Sequence, residues 1–74
     1  FSLLLPNTRD RLALAVAVTA RCYGCLSVHA EAAAKQGATR EEIAEALGVA
    51  ITLNTGAALV YSSRALDAFD NLPK

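Results

Sequence analysis

The chain has 74 residues, 54% of them apolar, with seven basic and seven acidic side chains and no net charge. That length makes one small domain, residues 1–74, and leaves no room for two. The scattered, balanced charge forms no basic patch, which excludes the electrostatic footprint of nucleic-acid binding, and four glycines with two prolines exclude the composition of a disordered chain.

A lone domain of this size buries only about 60% of the surface its unfolded chain exposes. The apolar excess therefore calls for a partner, most simply another copy of the same chain. The chain opens at Phe1 rather than a methionine, so sequence can precede it. Residues 1–5 form a short apolar arm; residues 1–6 are too short for the apolar core of a targeting segment, and a cytoplasmic location is expected.

The elements in chain order are four helices, an all-α pattern. The first spans residues 8–20, capped by Asn7 or Thr8 after Pro6. Leu12, Leu14, Val16 and Val18 alternate with alanines, a period that a strand also gives. Alanine is the best helix former and is depleted in strands, so helix is the better reading. Its apolar side chains then point all round, which predicts burial on most sides. The second helix spans residues 22–36, with Gly37 as its stop and Glu31 set four before Lys35.

The third helix starts at a capping box, Thr39-Arg40-Glu41-Glu42, followed by Ile43, Leu47, Ala50 and Ile51 at helical spacing. Its charges, Arg40, Glu41, Glu42 and Glu45, read as a solvated face. Residues 46–63 carry no charge, and a run of 18 approaches the length of a membrane span. Asn54-Thr55-Gly56 interrupts it, so it is read as two helical halves packed in protein, with no membrane. The fourth helix begins at Thr55 or Gly56 and ends near Phe69, with Leu59, Tyr61, Leu66 and Phe69 as its large side chains, before a polar tail from Asn71 to Lys74. Tyr23 and Tyr61 read as packing or interface residues.

Both cysteines and the only histidine fall within eight residues, as Cys22-x2-Cys25-x3-His29. On a helix at about 100° per residue, these positions share an arc of about 60°. A disulfide across so short a span restricts the unfolded chain little, so the pair reads as redox or metal chemistry rather than a staple. The thiolate is the reactive form of cysteine. It is favoured here by the free N–H groups of a helix N-terminus, by the neighbouring cation Arg21, and by His29 one turn after Cys25. A nucleophile beside a base usually has a third group that orients the base. If the first two helices form an antiparallel hairpin turning at residues 19–21, Asp10 falls opposite residues 28–32 and faces His29. The alternative is that Asp10, between Arg9 and Arg11, is a first-turn acid stabilising its own helix N-terminus.

The stretch Asp10-Arg11-Leu12-Ala13-Leu14-Ala15-Val16, then Cys22-Tyr23-Gly24-Cys25 and His29, resembles the core motif of the carboxymuconolactone decarboxylase superfamily, and most of all its alkylhydroperoxidase D-like branch. The alanine-rich second helix and the turn and cap from Gly37 to Ile43 resemble it too, so the similarity covers about residues 5–70. The resemblance implies a small helical bundle completed by packing in a homo-oligomer, a trimer or hexamer. It also implies a thiol-dependent peroxidase or disulfide reductase acting on a small peroxide or disulfide.

By the same analogy Cys25 attacks peroxide, Cys22 supplies a proton and then closes the disulfide, and His29 and Asp10 relay the proton. An external dithiol, in peroxidase members a lipoyl group on a carrier protein, resets the pair, and no cofactor is needed. This chain departs from the pattern in three ways. It has Asp10 where the family usually has glutamate, one methylene longer, and Gly24 where the well-known peroxidase has a histidine. It is also one short unit, whereas longer members carry an extra helical half. The decarboxylase members lack the cysteine pair. Three other readings of these residues stay open: zinc held by Cys22, Cys25, His29 and Asp10; a redox-sensing oligomeric domain without turnover; and two cysteines serving only as small buried hydrophobes.

Overall fold

In a computed structural model, which describes residues 3–73, the chain is all-α and consists of three helices rather than four. They are α1 (Pro6–Ala20), α2 (Tyr23–Lys35) and α3 (Arg40–Asp70). Helix α1 is the central element, packed against α2 on one side and α3 on the other, and α2 and α3 do not pack on each other. Asp10 of α1 meets His29 of α2, so that pair is antiparallel. Arg11 pairs with Glu42 and Thr19 with Asn54, so α1 and α3 run parallel.

Helix α1 begins two residues earlier than its sequence suggests. Leu5 is the N-cap in extended conformation, no side chain caps the helix, and Pro6 occupies the first turn. Proline suits that position because its fixed φ is already helical and its missing N–H has no intrahelical partner to lose. At the other end Arg21 adopts φ 58°, the left-handed conformation usually left to glycine. Its N–H reaches the Val18 carbonyl at 3.3 Å, and the Cys22 N–H reaches that of Ala17 at 3.0 Å. This double closure ends α1 sharply and hands the chain straight to the cysteine pair. The same device ends α2. Gly37 at φ 85° and Ala38 bond back to Ala34 and Ala33, both at 3.0 Å, as the glycine signal predicts.

The capping box of α3 forms in full: the Glu42 N–H donates to Thr39 Oγ1 at 3.1 Å, and the Thr39 N–H donates to Glu42 Oε1 at 2.8 Å. Glu42 also pairs with Arg11 at 3.7 Å, so it fastens α3 to α1 rather than lying on a wholly solvated face. The Thr39 backbone N–H, and after it the Arg11 guanidinium, hold the Glu42 carboxyl below its ordinary pKa of 4.5. A depressed folded-state pKa contributes stability above the ordinary value, and that stability is lost as pH falls through the folded value. Glu42→Gln is expected to lower stability at neutral pH, by an amount that shrinks towards zero as acid protonates the wild-type carboxyl. Thermal melts of both proteins across pH 3–7 check this, and an equal deficit at every pH contradicts it.

The predicted break at Asn54-Thr55-Gly56 is absent, and one 31-residue helix replaces the predicted third and fourth. The physical reason is that none of these residues forces a break. Thr52, Asn54 and Thr55 turn their side chains back onto the carbonyls of Gly48, Ala50 and Ile51, at 2.9, 2.7 and 2.8 Å, and stay within the helix. Gly56 costs only about 1 kcal/mol relative to alanine, and a ladder this long absorbs that.

The predicted burial of α1 and of the apolar run does not hold within one chain. Leu14, Ala17, Ala33 and Ala50 form the small core, whereas Leu12 and Val16 of α1 are 51% and 66% exposed. Two neighbours cover only two sides of a helix. By length and composition α3 can cross a membrane, with a mean hydropathy of 1.6 over its most apolar stretch and only 6% of that stretch buried. Its first half is tied to α1 through Arg11–Glu42 and Thr19–Asn54, and its last turns project beyond the hairpin. The molecule is consequently elongated, 59 × 23 × 21 Å, with a radius of gyration of 16.9 Å against about 11 Å for a compact chain of this length. Tyr23 and Tyr61 are both exposed, with Arg64 stacked 4.9 Å from the Tyr61 ring centre. Phe1 and Ser2 of the apolar arm and Lys74 of the tail lie outside the described residues.

Candidate active site

Cys22 is the N-cap of α2, with extended backbone angles and no side-chain cap bond, and Cys25 is the third residue of the helix. The helix thus starts at Tyr23, one residue after the predicted start. The two sulfurs are joined as a disulfide, with Cα atoms 5.3 Å apart, and both residues are half-buried. Opening that bond leaves both sulfurs beside the unpaired N–H groups of the first turn, where negative charge is favoured.

His29 lies one turn beyond Cys25. Its Nδ1 donates to Asp10 Oδ1 across the hairpin in a long hydrogen bond of 3.3 Å. An ionised carboxylate only accepts, so this contact places the proton of a neutral imidazole on Nδ1 and leaves Nε2 as the basic nitrogen. The Asp10 side chain is 7% exposed and that of His29 is 36% exposed. A sheltered acid therefore orients an accessible base, and the aspartate reaches it directly although it is one methylene shorter than glutamate. Asp10 is the fifth residue of α1, because that helix starts at Pro6. It lies past the first turn, where the helix dipole acts, so the reading of Asp10 as a first-turn acid does not hold.

All four residues, Cys22, Cys25, His29 and Asp10, line one open groove of about 750 Å³ between α1 and α2. The remaining wall is mostly apolar, including Leu4, Leu12, Val16 and Val28. A second hollow, bounded by Thr19, Asn54 and Tyr61 on the α3 side, contains no thiol or imidazole. Arg21, read from sequence as the cation beside the thiols, lines that second hollow and not the groove. The arginine that lines the groove is Arg9, which sequence reasoning treated only as a neighbour of Asp10. The signal that finds it is spacing: Arg9, Leu12, Ala13, Val16 and Ala20 recur at helical intervals along one face of α1. Among the described residues, no three His, Cys, Asp or Glu side chains are grouped as metal ligands.

Such an arrangement can carry a dithiol–disulfide couple beside an oriented base. Asp10→Asn is expected to slow alkylation of reduced Cys25 at pH 7 several-fold, because the amide weakens the hold on the imidazole that favours thiolate. Timed iodoacetamide labelling checks this, and an unchanged rate reduces Asp10 to a packing residue.

A sequence model described as the carboxymuconolactone decarboxylase family matches residues 2–68. The chain is 56% identical over 68 residues to an uncharacterized protein of Haemophilus influenzae, covering 92% of this chain and 60% of that protein. It is 37% identical over 66 residues to "Uncharacterized protein 4 in cox locus" of Paracoccus denitrificans, covering 89% of this chain and 60% of that protein. With an uncharacterized protein of Cupriavidus necator it shares 38% identity over 64 residues, covering 86% of this chain and 57% of that protein. The chain therefore spans less than two thirds of the length of the curated relatives it matches.

Proposed function

The chain belongs to the carboxymuconolactone decarboxylase family, and from that membership we propose that it is a thiol-dependent peroxidase or disulfide reductase. The observation that carries the reading is the single groove in which the bridged sulfurs, an accessible imidazole and a sheltered carboxylate converge.

In the reduced protein, His29 takes the Cys25 proton on Nε2, with Asp10 stabilising the imidazolium. The Cys25 thiolate attacks the terminal oxygen of a hydroperoxide and the O–O bond breaks. Cys25 becomes a sulfenic acid, and the departing alkoxide takes a proton from the Cys22 thiol and leaves as the alcohol. The Cys22 thiolate then attacks the Cys25 sulfur and displaces hydroxide, which leaves as water with the His29 proton. The Cys22–Cys25 bridge is the covalent state that such a step leaves behind. An external dithiol, such as a lipoyl group on a carrier protein, reduces the bridge by exchange and is itself oxidised to a disulfide. Peroxide consumption that depends on an added dithiol tests this reading, and wild-type protein that consumes neither peroxide nor disulfide with any dithiol contradicts it.

The same reading includes a homo-oligomer. The chain exposes 5984 Å², against about 4,300 Å² for a folded monomer of its mass. The excess, about 1,700 Å², supplies one partner's share of two standard interfaces, which is what each member of a closed ring uses. A trimer fits that area, and a pair of trimers would use a further interface. Leu59, Leu66 and Phe69 on the projecting part of α3 lie within an arc of about 80° and are 74%, 65% and 71% exposed. Their partner is protein rather than lipid. The part of α3 beyond the hairpin, from Leu59 to its end, is only about 18 Å long against a hydrocarbon core of about 30 Å, and it carries Arg64, Asp67 and Asp70.

A further inference from the structure

The groove is larger than hydrogen peroxide requires, and its polarity is uneven. Its α1 wall runs from Arg9 to Ala20, about 16 Å, with the cysteine pair at the Ala20 end. Leu12, Val16 and Val28 lie along its course, and all are more than half exposed. Arg9 lines the far end, with Leu4 beyond it, on an exposed side chain and has no ion-pair partner among the described residues. The nearest acid in sequence, Asp10, is turned into the hairpin toward His29. Arg9 is therefore a cation without a direct ion pair beside a mostly apolar trough, whose one carboxylate, Asp10, is sheltered and engaged by His29.

Resting on the peroxidase reading above, we propose that Arg9 selects the substrate: an unbranched aliphatic hydroperoxide with a carboxylate at the opposite end. The chain lies along Leu12, Val16 and Val28, removing apolar surface of both partners from water. The carboxylate meets the guanidinium, whose planar fork matches it in a bidentate pair. The hydroperoxide is then held at the sulfurs, in register with Cys25. Hydrogen peroxide and small neutral peroxides use neither the trough nor Arg9.

The test is equilibrium binding of unreactive probes, decanoate and decan-1-ol, to the disulfide form by titration calorimetry. Decanoate is expected to bind about fivefold more tightly than the alcohol, the scale of one solvent-exposed ion pair, with the preference shrinking as salt is raised. Arg9→Gln is expected to bring the ratio to about one, and Arg9→Lys, which keeps the charge but not the fork, to restore only part of it. Equal binding of the two probes by the wild type, or a preference that survives Arg9→Gln, overturns the assignment. Binding of these probes does not depend on turnover. A protein that prefers decanoate through Arg9 yet consumes no peroxide sinks the peroxidase reading and leaves the anion site standing. One that consumes peroxides without that preference sinks the Arg9 assignment alone.

Discussion

Cys25→Ser is expected to abolish dithiol-dependent peroxide consumption, a loss on the order of 10³-fold or more, while leaving the fold intact. Serine differs from cysteine by one atom, and Cys25 is half-buried at the third position of α2, where a hydroxyl reaches either water or a free N–H. Relative to the reduced wild type, stability should therefore change by well under 2 kcal/mol, since no cavity opens and no bridge is present to lose. A serine hydroxyl ionises too rarely near neutrality to attack an O–O bond, and the remaining thiol, Cys22, lies seven residues from His29 rather than one turn away. Cys22→Ser should behave differently. The attacking sulfur remains, so one turnover per chain is expected, stalling at the sulfenic acid for want of a resolving thiol. Stopped-flow peroxide consumption and trapping with a sulfenic-acid reagent separate the two variants. Equal multiple-turnover activity in both, matching the wild type, contradicts the assignment of roles.

The second large effect concerns assembly. Native mass measurement at micromolar concentration is expected to find a multiple of the 7.7 kDa chain. Leu66→Asp with Phe69→Asp should reduce it to the single-chain mass. Both side chains are more than 60% exposed in the isolated chain, so charging them costs the monomer little. In an oligomer the same change places two carboxylates in an apolar contact, which costs several kcal/mol per interface. Because so little of the chain is buried internally, separation should also lower thermal stability, and dilution of the wild type should do the same. A monodisperse wild-type monomer contradicts the area argument. A double variant that keeps its assembly moves the contact to another face.

The parts of this structure that were legible in the sequence are those set by short-range chemistry. The Thr39 capping box needs only an acceptor and a carboxylate three residues apart, and both bonds form. Gly37 stops α2 because its left-handed φ suits a residue without a side chain. The meeting of Asp10 and His29 follows from counting along an antiparallel hairpin with a tight turn, and the 3.3 Å contact lies where that count puts it.

What was not legible depended on competition between weak local signals and a long helix. Asn54, Thr55 and Gly56 look like a break, yet each is tolerated when its side chain bonds within the helix or its cost is small beside the whole ladder. The start of α1 at Pro6 was obscured by Asn7 and Thr8, which resemble caps but fall inside the first turn. Arg21 takes a conformation that glycine usually supplies, and this swings its side chain to the α3 side and leaves Arg9 as the cation of the groove. The exposure of Leu12 and Val16 has a different origin. Apolar residues all round a helix suggest burial on every side, but α2 and α3 cover only two sides of α1, and Leu12 and Val16 line the open groove instead.

The most direct measurement is a count of free thiols per chain before and after one equivalent of an organic hydroperoxide, on protein reduced and freed of reductant. Two thiols should fall to none, with one alcohol formed per chain and the thiols recovered on adding a dithiol. Two thiols that persist after exposure, or that vanish into sulfinic acid without forming the Cys22–Cys25 bridge, would contradict a cycling sulfur pair.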